Sequence, residues 1–309
     1  MPITVHHQPP TTNHQLVIVG SIGLDDIETP FGKVKSALGG SAIYASQAAS
    51  YFTKPSVVSI MGNDIPEEYL KILNRFDISG IALTEKTFRW TGSYEYDMNE
   101  AKTIDTKLNA LSEFEANVPK NYQEAKYLLL GNIDPDLQLK VLSQMKDHPF
   151  TLLDTMNFWI TSKRDKLEQI INKVNFLVIN EGEARQFCQT PNLIKAGKML
   201  LNLGPKFIVI KKGEHGALLF SNNDFFSAPS YPLEELKDPT GCGDSFAGGL
   251  IGYLAKTDQI SEKNIRKAII YGTAVASFCA EDFGTKKTIK LTIKDIEERY
   301  DFLTKIRQF

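Results

Sequence analysis

Short runs of Val, Ile, Leu and Phe, each bounded by polar or glycine-bearing residues, recur along the first two-thirds of the chain. They are LVIVGSI from Leu16, VVSIM from Val57, YLLLG from Tyr127, FTLLD from Phe150, FLVIN from Phe176 and FIVIK from Phe207. Runs this short and uniformly apolar predict strands buried on both faces, as parallel strands are. Between them, helical patterns cover 41–52, 66–76, 135–146, 163–174 and 193–203, several opening with Pro or Ser as helices do. Strand and helix in alternation predict a three-layer α/β/α fold with a central, mostly parallel sheet. Past Gly243 the pattern is helical to the C-terminus, apart from an irregular piece over 283–291.

One stretch departs from this pattern. TFRWTGSYEY, 87–96, alternates strictly, with Phe88, Trp90, Tyr94 and Tyr96 on one face and Thr87, Arg89, Thr91, Ser93 and Glu95 on the other. It predicts a half-exposed antiparallel strand. The turn-like DMNE from Asp97 and the β-prone KTIDTKLNA from Lys102 complete a hairpin outside the main sheet. Its aromatic face must be covered, by a site beneath it, by a second subunit, or by folding back on the core.

Composition narrows the class. At 309 residues and 42% hydrophobic, the chain can bury a sizeable core. A formal charge of -2, from 35 basic and 37 acidic residues, gives no reason to expect a nucleic-acid or membrane partner. Cys188, Cys242 and Cys279 are odd in number and widely spaced, which argues against a disulfide framework or zinc site and for a reducing, cytoplasmic compartment. Residues 1–14, MPITVHHQPPTTNH, lack the apolar run of a signal peptide and read as a flexible lead-in, with His6, His7 and His14 in it rather than in a metal site.

The candidate chemistry lies in DPTGCGDSFAGG, Asp238 to Gly249, where two carboxylates flank a glycine turn that opens into an apolar helix. Backbone N–H groups there lack intrahelical partners and the helix dipole adds positive potential, so Gly241, Cys242 and Gly243 form an anion site. Asp244 beside it is placed to take a proton from an attacking hydroxyl, a pairing suited to phosphoryl transfer. Helix capping by Asp244 is the plainer reading, and the two are compatible. No GxxxxGK[ST], GxGxxG, GxSxG or HExxH occurs, which sets aside P-loop kinases and weakens a dinucleotide-binding oxidoreductase.

DPTGCGDSFAGG resembles the C-terminal signature of the ribokinase-like, or PfkB, family of carbohydrate and nucleoside kinases. That resemblance implies a ribokinase-like fold over 15–309, with a β lid from 24–38 and 86–112 that covers the acceptor and can pair two subunits into a homodimer. It implies ATP and Mg²⁺ as cofactors and a small-molecule sugar or nucleoside as acceptor. LGGSA, with Gly39, Gly40 and Ser41, resembles the family's GGxxxN acceptor motif, except that Tyr44 stands at the Asn position. Asp25 falls where the family keeps an acceptor-binding Asp, with Gly23 where Asn is usual; an ionised carboxylate there accepts from a sugar diol. Asn157 is a further candidate for the acceptor site.

NEGEA resembles the NxxE motif, which implies Asn180 and Glu183 near Mg²⁺, partly through water; a capped helix start is the alternative. KKGEHG implies a nucleotide loop with Lys211, Gly213 and Gly216, where a plain hairpin turn is the alternative. CAEDFGTKKT resembles a loop that, in many members, encloses a monovalent cation such as K⁺. The carbonyls of Thr240, Cys279, Asp282 and Gly284, with the Asp238 carboxylate and the Thr288 hydroxyl, are its implied all-oxygen ligands, unless Asp238 only braces the turn. The expected activity is ATP-dependent phosphorylation of an alcohol on a sugar, or alternatively a nucleoside; a catalytically silent ligand-binding relative is the rival of another class.

Overall fold

The computed structural model describes residues 14–222 and 224–308. In chain order the elements are β1 (Leu16–Val19), β2 (Gly23–Thr29), β3 (Gly32–Gly39), α1 (Ser41–Ala49), β4 (Ser56–Gly62), α2 (Glu67–Leu73), β5 (Asp77–Thr84), β6 (Phe88–Tyr94) and β7 (Ala101–Lys107). Then come β8 (Tyr127–Leu130), α3 (Pro135–Gln144), β9 (Phe150–Asp154), α4 (Asn157–Ser162), α5 (Arg164–Ile171), β10 (Phe176–Asn180), α6 (Glu181–Cys188), α7 (Leu193–Leu201) and β11 (Phe207–Lys211). The chain ends with β12 (Ala217–Ser221), β13 (Phe225–Ala228), α8 (Cys242–Thr257), α9 (Glu262–Cys279) and α10 (Ile293–Lys305).

A nine-stranded sheet runs in the order β13-β12-β11-β10-β9-β8-β1-β4-β5. Every pairing from β11 through β5 is parallel, and β12 and β13 extend it antiparallel at one edge. The apolar runs LVIV and YLLL are buried at every position because helices cover both faces. Leu16, Ile18 and Val178 pack toward α1, α8, α9 and α10; Val17, Val19 and Leu177 pack toward α3, α5, α6 and α7. The chain proceeds from β1 outward in both directions, β4 and β5 to one side and β8 to β11 to the other. The crevice beyond the C-terminal strand ends near β1 is the place where such sheets bind ligands.

A second sheet has the order β3-β2-β6-β7. Its outer pairs are antiparallel, but β2 and β6 run parallel, Gly23 aligned with Phe88 and Glu28 with Ser93. The hairpin of β6 and β7 is therefore joined to the β2–β3 hairpin, outside the main sheet. A bulge between Thr91 and Gly92 interrupts the strict alternation. Tyr94 turns inward, whereas Tyr96, past the strand end, is 84% exposed.

The N-terminal reading needs one correction. Residues 1–13, with His6 and His7, lie outside the described residues, but His14 is buried: its Nδ1 is 2.8 Å from Ser56 Oγ, its Nε2 is 3.0 Å from Asn121 Nδ2, and its ring packs on Tyr122. His14 thus belongs to the folded body. Among the described residues no helix is long and apolar enough to cross a membrane.

Candidate active site

Gly241 starts α8 with φ 77°, a left-handed conformation that a side chain would strain. Cys242 donates its N–H to the Pro239 carbonyl at 3.1 Å, and Ser245 donates to the Gly241 carbonyl at 2.8 Å, which closes the turn. The N–H groups of Gly241 and Gly243 have no partner among the described residues. They are the two free donors of the turn, and Cys242, expected as a third, is spent on closing it. Lys211, the last residue of β11, brings its Nζ to 2.8 Å from the place a Gly243 Cβ would occupy. A positive charge thus stands beside the donors, and any larger residue at 243 would displace it.

The carboxylates around this turn are strongly perturbed. Burial pushes the Asp244 carboxyl up to about 7; the Asp154 charge adds to the rise, and Lys211 opposes it. Asp244 keeps a partly open face toward the cleft while the surrounding protein desolvates its carboxyl. Asp154, at the end of β9, lies 3.2 Å from Lys211 Nζ. Burial works against the Lys211 ammonium, but Asp154, Glu183 and Asp244 outweigh it and hold its pKa above the ordinary lysine value. Glu183 is raised to about 7, chiefly by burial.

Asn180 and Glu183 close on each other as a capping box: Glu183 N–H donates to Asn180 Oδ1 at 2.8 Å, and Asn180 N–H donates to Glu183 Oε2 at 2.9 Å. The capping alternative is therefore realised. Among the described residues, no three His, Cys, Asp or Glu side chains converge as a preformed metal cage.

Across the cleft, Asp25 is buried in β2. The Gly39 Cα packs so closely on its Oδ2 that a Cβ at 39 would overlap it. Burial first, then the charges of Asp238, Asp244 and Asp26, raise the Asp25 carboxyl to about 8. In the free protein at neutral pH it is mostly protonated, not the ionised acceptor expected from sequence. A protonated carboxyl both donates and accepts, which suits a diol equally well. Ser41 is less free than expected: its Oγ accepts from Ser21 N–H at 3.0 Å, and its N–H donates to Ser21 Oγ at 3.1 Å, which clasps the Gly39–Gly40 turn to the end of β1. Asn157 opens α4, is exposed, and makes no side-chain hydrogen bond among the described residues.

Asp238 braces the α8 turn, its two oxygens accepting from Thr240 N–H at 2.9 Å and Gly284 N–H at 3.3 Å. Side chains nearby also make hydrogen bonds within the protein. The Cys279 thiol donates to the Thr240 carbonyl, Asp282 accepts from Phe283 N–H, and the Thr288 hydroxyl donates to the Thr285 carbonyl. The small sheet reaches the turn through Tyr94, whose hydroxyl accepts from Thr240 Oγ1 at 3.1 Å. The turn between β6 and β7 spans the cleft. Asn99 Oδ1 is 3.4 Å from the Cβ position of Gly213, and Glu100 Oε1 is 3.7 Å from that of Gly182. Gly216, at the far end of the KKGEHG turn, lies against Ala228 and Pro229.

The pfkB family carbohydrate kinase profile matches residues 32–291. The chain belongs to that family. This pfkB-family kinase is 33% identical over 254 residues to the cytidine kinase of Thermococcus kodakarensis, a similarity covering 80% of this chain and 91% of the relative. Its fold is shared with the nucleoside kinase of Burkholderia thailandensis solved in complex with inosine, at TM-score 0.76 and 18% identity over 95% of this chain and 100% of the other. It is also shared with an E. coli protein described as a candidate ribokinase II and solved with ATP and Mg²⁺, at TM-score 0.77 and 20% identity over 93% and 99% of the two chains.

The kinase fold brings Asp25, Gly39, Glu183, Lys211, Asp238, Gly241, Gly243 and Asp244 together at one end of the sheet. Sequence reasoning missed Asp154. Its signal was a carboxylate ending the buried strand FTLLD, two strands over in the sheet from β11, which ends in Lys211. Tyr94 was assigned only to an aromatic face, yet it is the hydroxyl that joins the small sheet to the α8 turn.

Proposed function

We propose that this pfkB-family kinase transfers the terminal phosphoryl group of ATP, bound with Mg²⁺, to a hydroxymethyl group of a nucleoside. The observation that carries the chemistry is the pair of unpartnered N–H groups at Gly241 and Gly243 with Lys211 and Asp244 beside them. Similarity to a cytidine kinase over 91% of that relative's length favours a nucleoside over a simple sugar.

The residues fit the absent groups. Two orphan donors and an ammonium suit a phosphate, and Asp154, Glu183 and Asp244, facing a single lysine, leave excess negative charge that suits a divalent cation. Asn180 and Glu183 would hold Mg²⁺, partly through water, and the 213–216 turn would border the nucleotide. The metal supplies neutralisation of triphosphate charge. Asp25 orients the acceptor hydroxyls. Asp244 takes the proton of the attacking hydroxyl as its oxygen bonds to phosphorus, the bond to the departing ADP oxygen breaks, and the Gly241 and Gly243 N–H groups with Lys211 stabilise the phosphoryl oxygens. The small sheet acts as the lid and excludes water, a competing acceptor. No step is assigned to K⁺.

ADP release measured with cytidine, inosine, ribose and fructose, with Asp244→Asn alongside, tests this reading. Turnover highest with a nucleoside and at least a thousandfold lower in Asp244→Asn is expected. Turnover confined to sugars overturns the acceptor, and an Asn variant matching wild type overturns the base.

A further inference from the structure

Tyr44 is 2% exposed in α1, and its hydroxyl has no hydrogen-bond partner among the described residues. Its ring lies directly beneath Gly241: a Cβ there would run into Cγ, Cδ1 and Cδ2 of the ring. The same ring also reaches toward the acceptor side. Its Cε2 is 3.4 Å from the Cβ position of Gly39, the residue whose missing side chain admits the Asp25 carboxylate. The helix that carries the ring is itself fixed, because Gly248 and Gly252 of α8 let the backbones of Ala45 and Ala49 approach closely. One rigid ring therefore touches both the floor of the anion turn and the support of the acceptor carboxylate. Hydrogen bonds close the turn around Gly241, and the ring beneath it limits how far the turn can sink toward α1.

We propose that Tyr44 is a positioning residue: its ring is the spacer that sets the Gly241–Gly243 donors at their working distance from an acceptor held at Asp25. The proposal rests on the reading of that turn as the phosphoryl site. The hydroxyl makes no hydrogen bond among the described residues, so the ring itself is what acts, and misplacement of a reacting group by about 1 Å costs about a hundredfold in rate.

The test is steady-state kinetics of the full chain with MgATP and cytidine, run below the melting temperature of every variant. Tyr44→Leu, which removes the spacer, is expected to lower kcat about ten- to a hundredfold with both KM values within about threefold of wild type. Tyr44→Phe, which restores the ring, is expected to recover most of that loss; a merely structural role would not divide kcat from KM in this way. If Tyr44→Leu does not fold, Tyr44→Met keeps most of the volume without the flat ring and carries the same expectation. A non-aromatic variant with kcat within about threefold of wild type overturns the proposal, as does a Phe variant as slow as the Leu one. Asp244→Asn in the same series separates the two readings. If it is inactive while the non-aromatic variant is fast, only the spacer is wrong; if it is active, the phosphoryl reading and the spacer fall together.

Discussion

Replacing Lys211 with Met removes the cation that lowers the Asp244 carboxyl. In the wild-type protein Asp244 titrates at about 7, with burial and Asp154 raising it and Lys211 lowering it. A base works only when deprotonated, so kcat at saturating MgATP and acceptor should climb with pH to a midpoint near that value. Loss of a nearby opposite charge raises a carboxyl by about 1 to 3 units, at about 1.4 kcal/mol per unit. The ionised fraction at pH 7 then falls from about one-half to about one-eleventh for a rise of 1 unit and to about one-thousandth for a rise of 3, a loss of about five- to 500-fold. Lys211 Nζ also lies 3.2 Å from Asp154, so its charge is shared between the two carboxylates and the expected shift lies at the lower end. Initial rates of ADP formation from pH 5.5 to 9.5 measure it. The Lys211→Met midpoint should move up by about 1 unit, with activity partly recovered at pH 9, and any pH-independent loss on top reports the phosphate contact. The double variant Lys211→Met with Asp154→Asn should bring the midpoint back down. A Lys211→Met midpoint that stays in place refutes the electrostatic assignment.

Other perturbations bear on the acceptor side. Gly39→Ala places a Cβ on the Asp25 carboxylate, so the acceptor KM should rise at least about tenfold with the ATP KM little changed, and stability should drop by about 1–3 kcal/mol in a urea titration. Asp25 is raised from 3.8 to about 8 in the fold, so the stability it contributes is complete below about 3.8 and is lost as pH rises through about 8. Asp25→Asn, which stays neutral, should gain on wild type by several kcal/mol between pH 5 and 9; equal urea midpoint differences at the two pH values would count against the shift. Tyr94→Phe removes the partner of Thr240 Oγ1 and should cost about 1 kcal/mol of stability and raise the acceptor KM, which thermal melts and initial rates will show.

The parallel sheet was legible because each strand buried on both faces leaves an unbroken apolar run, and the α8 turn because glycines and carboxylates at fixed spacing are rare by composition. β5, DISGIALT, escaped notice because it lies at the sheet edge with three of its eight residues exposed and none fully buried, and so never forms such a run. Asp154 looked like any strand end: its meaning depends on Lys211, 57 residues away, which strand order and not sequence order brings alongside. The protonation of Asp25 was misjudged for the same reason, since Asp238 and Asp244, which help to raise it, lie more than two hundred residues further on. Asn180 and Glu183 were found together because their spacing matched a motif, and the same spacing makes them a capping box.

The alignment of β2 with β6 also bears on when recognition can form during synthesis. The partners Gly23 and Phe88 are 65 residues apart, and β4, α2 and β5 lie between them. A nascent chain ending at Thr84 already contains Asp25, Gly39 and Tyr44 but lacks the strand that aligns with β2, and such a non-local pairing is slow to close. The acceptor side of the cleft thus matures only after Tyr94 has emerged, and the anion turn at Gly241 only with the last quarter of the chain.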